Sequence, residues 1–198
     1  MPAGIDYYFT VNSPWTYLGH ERFLDIARRS GATVRFRPFD LMKIFPASGG
    51  LPLPKRAPQR RAYRLVEMRR WSEHLGVPIV LEPAGLPASD EPAALVMMAA
   101  MDAGLDAGAI AGAVMRAIWV DQRNMGSFEA VHEVAAPFGV DAGIVASADT
   151  PEMRTRRDVL TDEALAAEVF GAPSYVLDGE IFWGQDRLDF LERALARI

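Results

Sequence analysis

The chain has 198 residues and not one cysteine. Disulfides are therefore excluded, and nothing in the chain requires an oxidising compartment. Histidine is scarce as well. His20, His74 and His132 stand alone, without metal-ligand spacing and without a context that marks a catalytic base. There is no excess of positive charge: 21 basic against 26 acidic residues leave a net −5, which argues against a general nucleic-acid or membrane-surface role. No apolar run is long enough to cross a bilayer, which takes about 20 residues; the stretch 93–101 falls far short. The first residues lack the basic region and apolar run of a signal peptide, so the expected location is cytoplasmic. No segment repeats at a fixed period.

What is present has a clear order. Ile5, Tyr7, Phe9 and Val11 alternate with Asp6, Tyr8 and Thr10, predicting a strand over 5–11. Ser13 suits an N-cap, and Pro14 suits the first helical position, where its missing N–H would have been unpaired anyway. Leu18, Phe23, Leu24 and Ala27 give that helix an apolar face, and Gly31 ends it. A second strand over 33–39 completes a βαβ crossover, hence a parallel pair. After a loop at 49–54, helical patterns run over 58–75, 90–103, 106–120, 127–138 and 151–170, opened by residues such as Asp90, Asp106, Ser127 and Thr150. The chain returns to β at 174–183, where Asp178-Gly179 suits the type I′ turn of a hairpin. Gly184-Gln185-Asp186 then opens a last helix with Leu188, Leu191 and Leu195 on one face. The expected fold is α/β and thioredoxin-like (βαβ…ββα) with a large all-helical insertion. Its expected divisions are 1–45, 46–150 and 151–198.

Three places carry chemistry. Ser13-Pro14-Trp15-Thr16 sits at the strand-to-helix junction where thioredoxin-type proteins carry Cys-x-x-Cys, with hydroxyls in place of both sulfurs. A helix N-terminus favours an anion by ~0.3–1 kcal/mol at a surface and up to ~2 when partly buried, so Ser13 is either a plain cap or the partner of a thiolate brought by a cofactor. Gly171-Ala172-Pro173-Ser174 precedes a strand; Pro173 either simply starts that strand or is cis, turning neighbouring backbone toward Ser13. Gln185 and Asp186 open the last helix, either as ordinary first-turn residues or as a site for an amino-acid head group.

Asp6-Tyr7-Tyr8-Phe9 with Ser13-Pro14-Trp15-Thr16-Tyr17-Leu18, the helix holding Tyr63 and Arg70-Trp71, and Phe170-Gly171-Ala172-Pro173-Ser174 with Phe182-Trp183-Gly184-Gln185-Asp186-Arg187-Leu188 resemble 2-hydroxychromene-2-carboxylate isomerases. That family stands with kappa-class glutathione transferases among the Dsb-like thioredoxin folds, and the resemblance runs along essentially the whole chain. It implies that Ser13 holds the glutathione sulfur as thiolate, that Ala172 and a cis Pro173 lie along the cysteinyl unit, and that Gln185 and Asp186 bind the γ-glutamyl end. It implies glutathione as cofactor, a small aromatic acid as substrate, no metal, and a homodimer. The chain departs from the family at Gly49-Gly50-Leu51-Pro52, where an asparagine-containing Gly-Asn-Pro-Pro pattern is usual.

The segment 55–70 is rich in arginine. It is either a solvated helix face or a carboxylate receptor, in which Arg60 and Arg64, four apart, share a face. Trp119 is either core or a wall of the substrate cleft. Two readings compete with the isomerase: a kappa-like transferase conjugating glutathione to electrophiles, and a non-catalytic glutathione-binding module.

Overall fold

A computed structural model describes residues 3–198. The first strand, β1 (Gly4–Phe9), leads through a short loop into α1 (Pro14–Ser30), and β2 (Thr33–Pro38) returns parallel to β1 in the register Gly4 to Thr33 through Phe9 to Pro38. Ser13 is the N-cap of α1, and Gly31 closes it in the left-handed conformation (φ 68°), donating its N–H to the carbonyls of Ala27 and Arg28.

The helical block follows: α2 (Leu41–Ser48), α3 (Pro58–Leu75), α4 (Glu91–Asp102), α5 (Ala107–Trp119), α6 (Phe128–Ala135), α7 (Ala142–Ala148) and α8 (Pro151–Ala166). Helix α4 is its axis. Every residue from Pro92 to Ala100 is buried, and four of them are alanines, which lets α5, α6, α7 and α8 pack closely around it. Then β3 (Ser174–Leu177) and β4 (Glu180–Trp183) form a hairpin, and α9 (Leu188–Leu195) ends the chain. Asp178 and Gly179 both have positive φ, 49° and 85°, as the type I′ turn requires.

The sheet order is β2-β1-β3-β4, with β3 antiparallel to β1 and β4 antiparallel to β3. This is the thioredoxin-like fold with helices set into it. Between sheet and α1 lies an aromatic layer: Tyr7 stacks on Tyr175 at 5.3 Å and on Phe9 at 4.7 Å, and Phe23 tilts against both tyrosines at 4.6 Å.

The strand expected over 5–11 ends at Phe9, two helices stop short, and two short helices are new. The helix expected over 151–170 stops at Ala166, because Glu168 takes φ 58° and Val169 turns inward to join Tyr8, Phe39, Ile44 and Ala172. The helix expected over 127–138 stops at Ala135 and tightens into a 3₁₀ turn, Ala136–Phe138. Helices α2 and α7 were not anticipated; they have eight and seven residues, too few to display an amphipathic period.

Candidate functional site

The site begins where β1 ends. Thr10, Val11 and Asn12 have no ladder partners, so their polar groups must be satisfied by other parts of the chain. Thr10 Oγ1 accepts the Asn12 N–H at 3.3 Å and donates to the Asp90 carboxylate. Asn12 Nδ2 donates to the Ala88 carbonyl at 2.8 Å, and Trp119 Nε1 donates to the Val11 carbonyl at 2.9 Å. Asp90 in turn pairs with Arg157 at 2.7 Å, and Arg157 also reaches the Phe39 carbonyl at the end of β2 at 3.4 Å. Three groups remote in sequence therefore hold the loop that delivers Ser13.

Ser13 is 7% exposed. Its Oγ accepts the Thr16 N–H at 3.3 Å and donates to the Ala172 carbonyl at 3.1 Å. Pro14 has no N–H, and Ser13 occupies that of Thr16, which leaves the Trp15 N–H without an acceptor among the described residues. The Ala172–Pro173 bond is cis. Beyond it, the Pro173 carbonyl accepts the Gly184 N–H at 2.9 Å, linking this corner to Gln185 and Asp186. Gln185 lies against Gly19 of α1 so closely that a Cβ on Gly19 would stand 2.5 Å from Gln185 Cβ. The structure thus brings Ser13, Ala172, Pro173 and Gln185 into one corner. Asp186 stands at its exposed edge, its carboxylate folded over Gly184 and paired with Arg187 at 2.7 Å.

Beneath that corner three buried polar atoms have no partner among the described residues: Thr16 Oγ1, Tyr175 OH and Gln185 Oε1. Burial holds the Tyr175 hydroxyl well above the ordinary phenol value, so it stays protonated. His20, one helical turn past Thr16, is buried and neutral. Its Nε2 meets the Gly108 carbonyl at 2.9 Å, which can only accept, so Nε2 carries the proton and Nδ1 accepts from Tyr7 OH at 3.2 Å. Burial is the main reason its pKa lies below 6.5.

The remaining expected site residues lie elsewhere. Trp119 is 1% exposed, so it supports Val11 from behind and faces no open space. Arg60 is exposed on α3, Arg64 is half-buried, and neither is hydrogen-bonded to the Ser13 corner. Thr10, Arg157 and Arg56 were not picked out in the sequence. Asp90 looked like a helix cap, yet its carboxylate caps nothing on α4. An Asp that leaves its own helix uncapped is committed to something else, but only the fold reveals to what.

Two grooves lie apart from this corner. A groove of about 520 Å³ lies between β4 and α9, and another of about 730 Å³ lies beside β2; Ser13 lines neither. Among the described residues no group of His, Cys, Asp or Glu could hold a metal ion, and no helix is long and apolar enough to cross a membrane.

Comparison with known proteins agrees with this geometry. The sequence profile of a DSBA-like thioredoxin domain matches residues 4–196. A 2-hydroxychromene-2-carboxylate isomerase of Sphingobium xenophagum is 31% identical over 98% of this chain and 99% of its own. The solved structure of a 2-hydroxychromene-2-carboxylate isomerase superposes with a TM-score of 0.82 at 26% identity, over 98% of this chain and 95% of that one. A glutathione S-transferase kappa 1 of Homo sapiens is 24% identical over 98% of this chain and 92% of its own.

Proposed function

Because the chain belongs to the DSBA-like thioredoxin family, and within it to the 2-hydroxychromene-2-carboxylate isomerase family, we propose that it is a glutathione-dependent cis-trans isomerase. Its substrates are 2-hydroxychromene-2-carboxylate-type acids and its products trans-o-hydroxybenzylidenepyruvate-type acids. One observation carries the reading: in a chain without cysteine, a serine hydroxyl stands at the N-terminus of α1 and touches the carbonyl before a cis proline.

The donor set fits glutathione. Ser13 offers a hydroxyl, and Trp15 and Ala172 offer backbone N–H groups that form no hydrogen bond among the described residues. An extended peptide has the complementary carbonyls, and a thiolate is an acceptor for the hydroxyl and the helix start. When bound, glutathione would supply the nucleophilic sulfur, whose reversible addition to a conjugated carbon frees rotation about the former double bond. The chain's own residues then have distinct tasks. Ser13 would donate a hydrogen bond to the sulfur, its proton staying on oxygen, and favour the thiolate by about one pKa unit for a charge-dipole interaction near 1.4 kcal/mol. Ala172 and Pro173 align the cysteinyl backbone. Gln185 and Asp186 receive the γ-glutamyl end, Asp186 taking the ammonium. Asp90, Arg157 and Trp119 act through the loop they hold and are positioning residues.

The decisive experiment follows the absorbance of 2-hydroxychromene-2-carboxylate with and without glutathione, for wild type and Ser13→Ala. Strict dependence on catalytic glutathione is expected, with the rate lost in Ser13→Ala. Stoichiometric consumption of glutathione would instead indicate a transferase. Unchanged turnover in its absence would defeat the reading.

A further inference from the structure

We propose that Arg56 and Arg64, at the N-terminal end of α3, form a carboxylate-binding subsite with the Phe45 ring as its apolar wall.

The local charges make no sense as stabilisation. Helix α3 starts at Pro58 with Ala57 in the cap position, so no side chain caps it; its first turn holds Arg60 and Arg61 and no acid. A helix start already carries about half a positive charge, so guanidiniums gathered there oppose the dipole. Most half-buried arginines of this protein are neutralised: Arg22 by Asp189, Arg37 by Asp6 and Glu163. Arg56 and Arg64 are half-buried too, yet form no ion pair among the described residues. Burial pushes both below the ordinary arginine value. The Arg56 charge pushes Arg64 further, the Arg60 charge does the same to Arg56, and Glu82 only partly relieves Arg64. Like charges held together without a counter-ion are a place where an anion is missing.

Arg56 is also held in a fixed attitude. Its Nε donates to the Leu51 carbonyl at 2.7 Å, which leaves the two terminal nitrogens for a forked acceptor. Its guanidinium carbon lies 5.9 Å from the centroid of Phe45. Gly50 leaves that ring room: a Cβ there would stand 2.3 Å from Phe45 Cδ1. Phe45 follows Ile44, which belongs to one apolar cluster with Phe39 and Ala172, and the Ala172 carbonyl accepts the Ser13 hydroxyl. A flat conjugated acid would place its carboxylate on the guanidiniums and its ring on Phe45. The subsite rests on the proposed function for the origin of the carboxylate, which is either the aromatic acid's or the glycyl end of glutathione.

Calorimetric titration of wild type, Arg56→Gln, Arg64→Gln and the exposed control Arg69→Gln tests this, with trans-cinnamate, cinnamamide, glutathione and γ-glutamylcysteine as ligands. If the aromatic acid is the guest, cinnamate weakens at least tenfold in both variants, while cinnamamide is weak throughout and indifferent to them. If glutathione's glycyl arm is the guest, glutathione weakens at least tenfold and γ-glutamylcysteine does not. Arg69→Gln changes neither. Removing either repelled arginine should also raise the Tm of the ligand-free protein by about 1–3 °C, where a structural arginine would lower it. Carboxylates bound equally by wild type and both variants, or by none of them, overturn the subsite. Cinnamate binding that needs Arg56 and Arg64 in a protein indifferent to glutathione keeps the subsite and removes the proposed function.

Discussion

Two corners of the molecule, one around Ser13 and one around Arg56 and Arg64, are built on opposite principles. Around Ser13 the hydroxyl and the loop that delivers it are matched, although Thr16 Oγ1, Tyr175 OH and Gln185 Oε1 beneath them are not. The hydroxyl is bonded on both sides, the loop before it is held by Asp90, Ala88 and Trp119, and the charge on Asp90 is answered by Arg157. Around Arg56 and Arg64 charge accumulates against a helix dipole and is left unanswered. The first corner fixes a geometry; the second gives up stability and keeps an electrostatic demand. In the proposed site, precision and attraction are divided between separate stretches of chain.

The largest test strikes the matched corner at its charge pair. Arg157→Met leaves the half-buried Asp90 without its counter-ion and should cost about 3 kcal/mol of stability, the lower end for a buried pair, read from urea unfolding. A loss near zero would mean that this corner is no more tightly held than the other. Next in size is Ser13→Ala. Losing one donor to a developing anion typically lowers a rate 10²–10³-fold, about 2.7–4 kcal/mol, whereas losing the cap costs about 1 kcal/mol of stability. Measuring turnover and unfolding on the same variant separates the two roles. Trp119→Phe, which leaves the Val11 carbonyl buried and unmatched, should cost about 1–3 kcal/mol. In a Ser13→Cys background it should also change the pKa of the only thiol in the chain, followed by thiolate absorbance against pH; an unmoved pKa would show that the loop does not aim residue 13.

The smallest effect separates the corners by pH. The folded protein holds His20 below 6.5 by burial, so as pH falls the unfolded chain takes up the proton first. The stability His20 contributes is complete above about pH 6.5 and declines below it, by at most about 1.4 kcal/mol per unit. Thermal unfolding between pH 8 and pH 5 should show this decline, and His20→Asn should flatten it. The arginine corner has no group titrating in that interval and should contribute no slope.

Local signals were readable wherever a short window contains the whole cause. The hairpin was legible because Asp178-Gly179 specifies its turn, and α1 because Ser13-Pro14 and Gly31 mark its ends. Residues 58–75 were legible as a helix for the same reason. Ser13, Ala172, Pro173 and Gln185 could each be singled out by their setting at strand and helix boundaries, but it was the family resemblance that joined them into one site. What stayed hidden depends on distance along the chain. Asp90 serves Thr10, 80 residues away, and Arg157 serves Asp90 across 67. No pattern within a window marks such pairs. Arg56 was hidden differently, as one arginine among many, and only its burial without a partner distinguishes it.

In the proposed site, the bond between the Ser13 hydroxyl and the Ala172 carbonyl favours an anionic guest. The hydroxyl has a single proton, already engaged with a neutral acceptor. A newcomer must win that proton in a straight exchange. A neutral thiol or thioether accepts too weakly to displace the carbonyl. An anion gains, since a hydrogen bond to a charged group contributes about 1.5–3 kcal/mol against about 0.5–1.5 for a neutral one. On the proposed function, the latch is closed to neutral ligands and turned by anions.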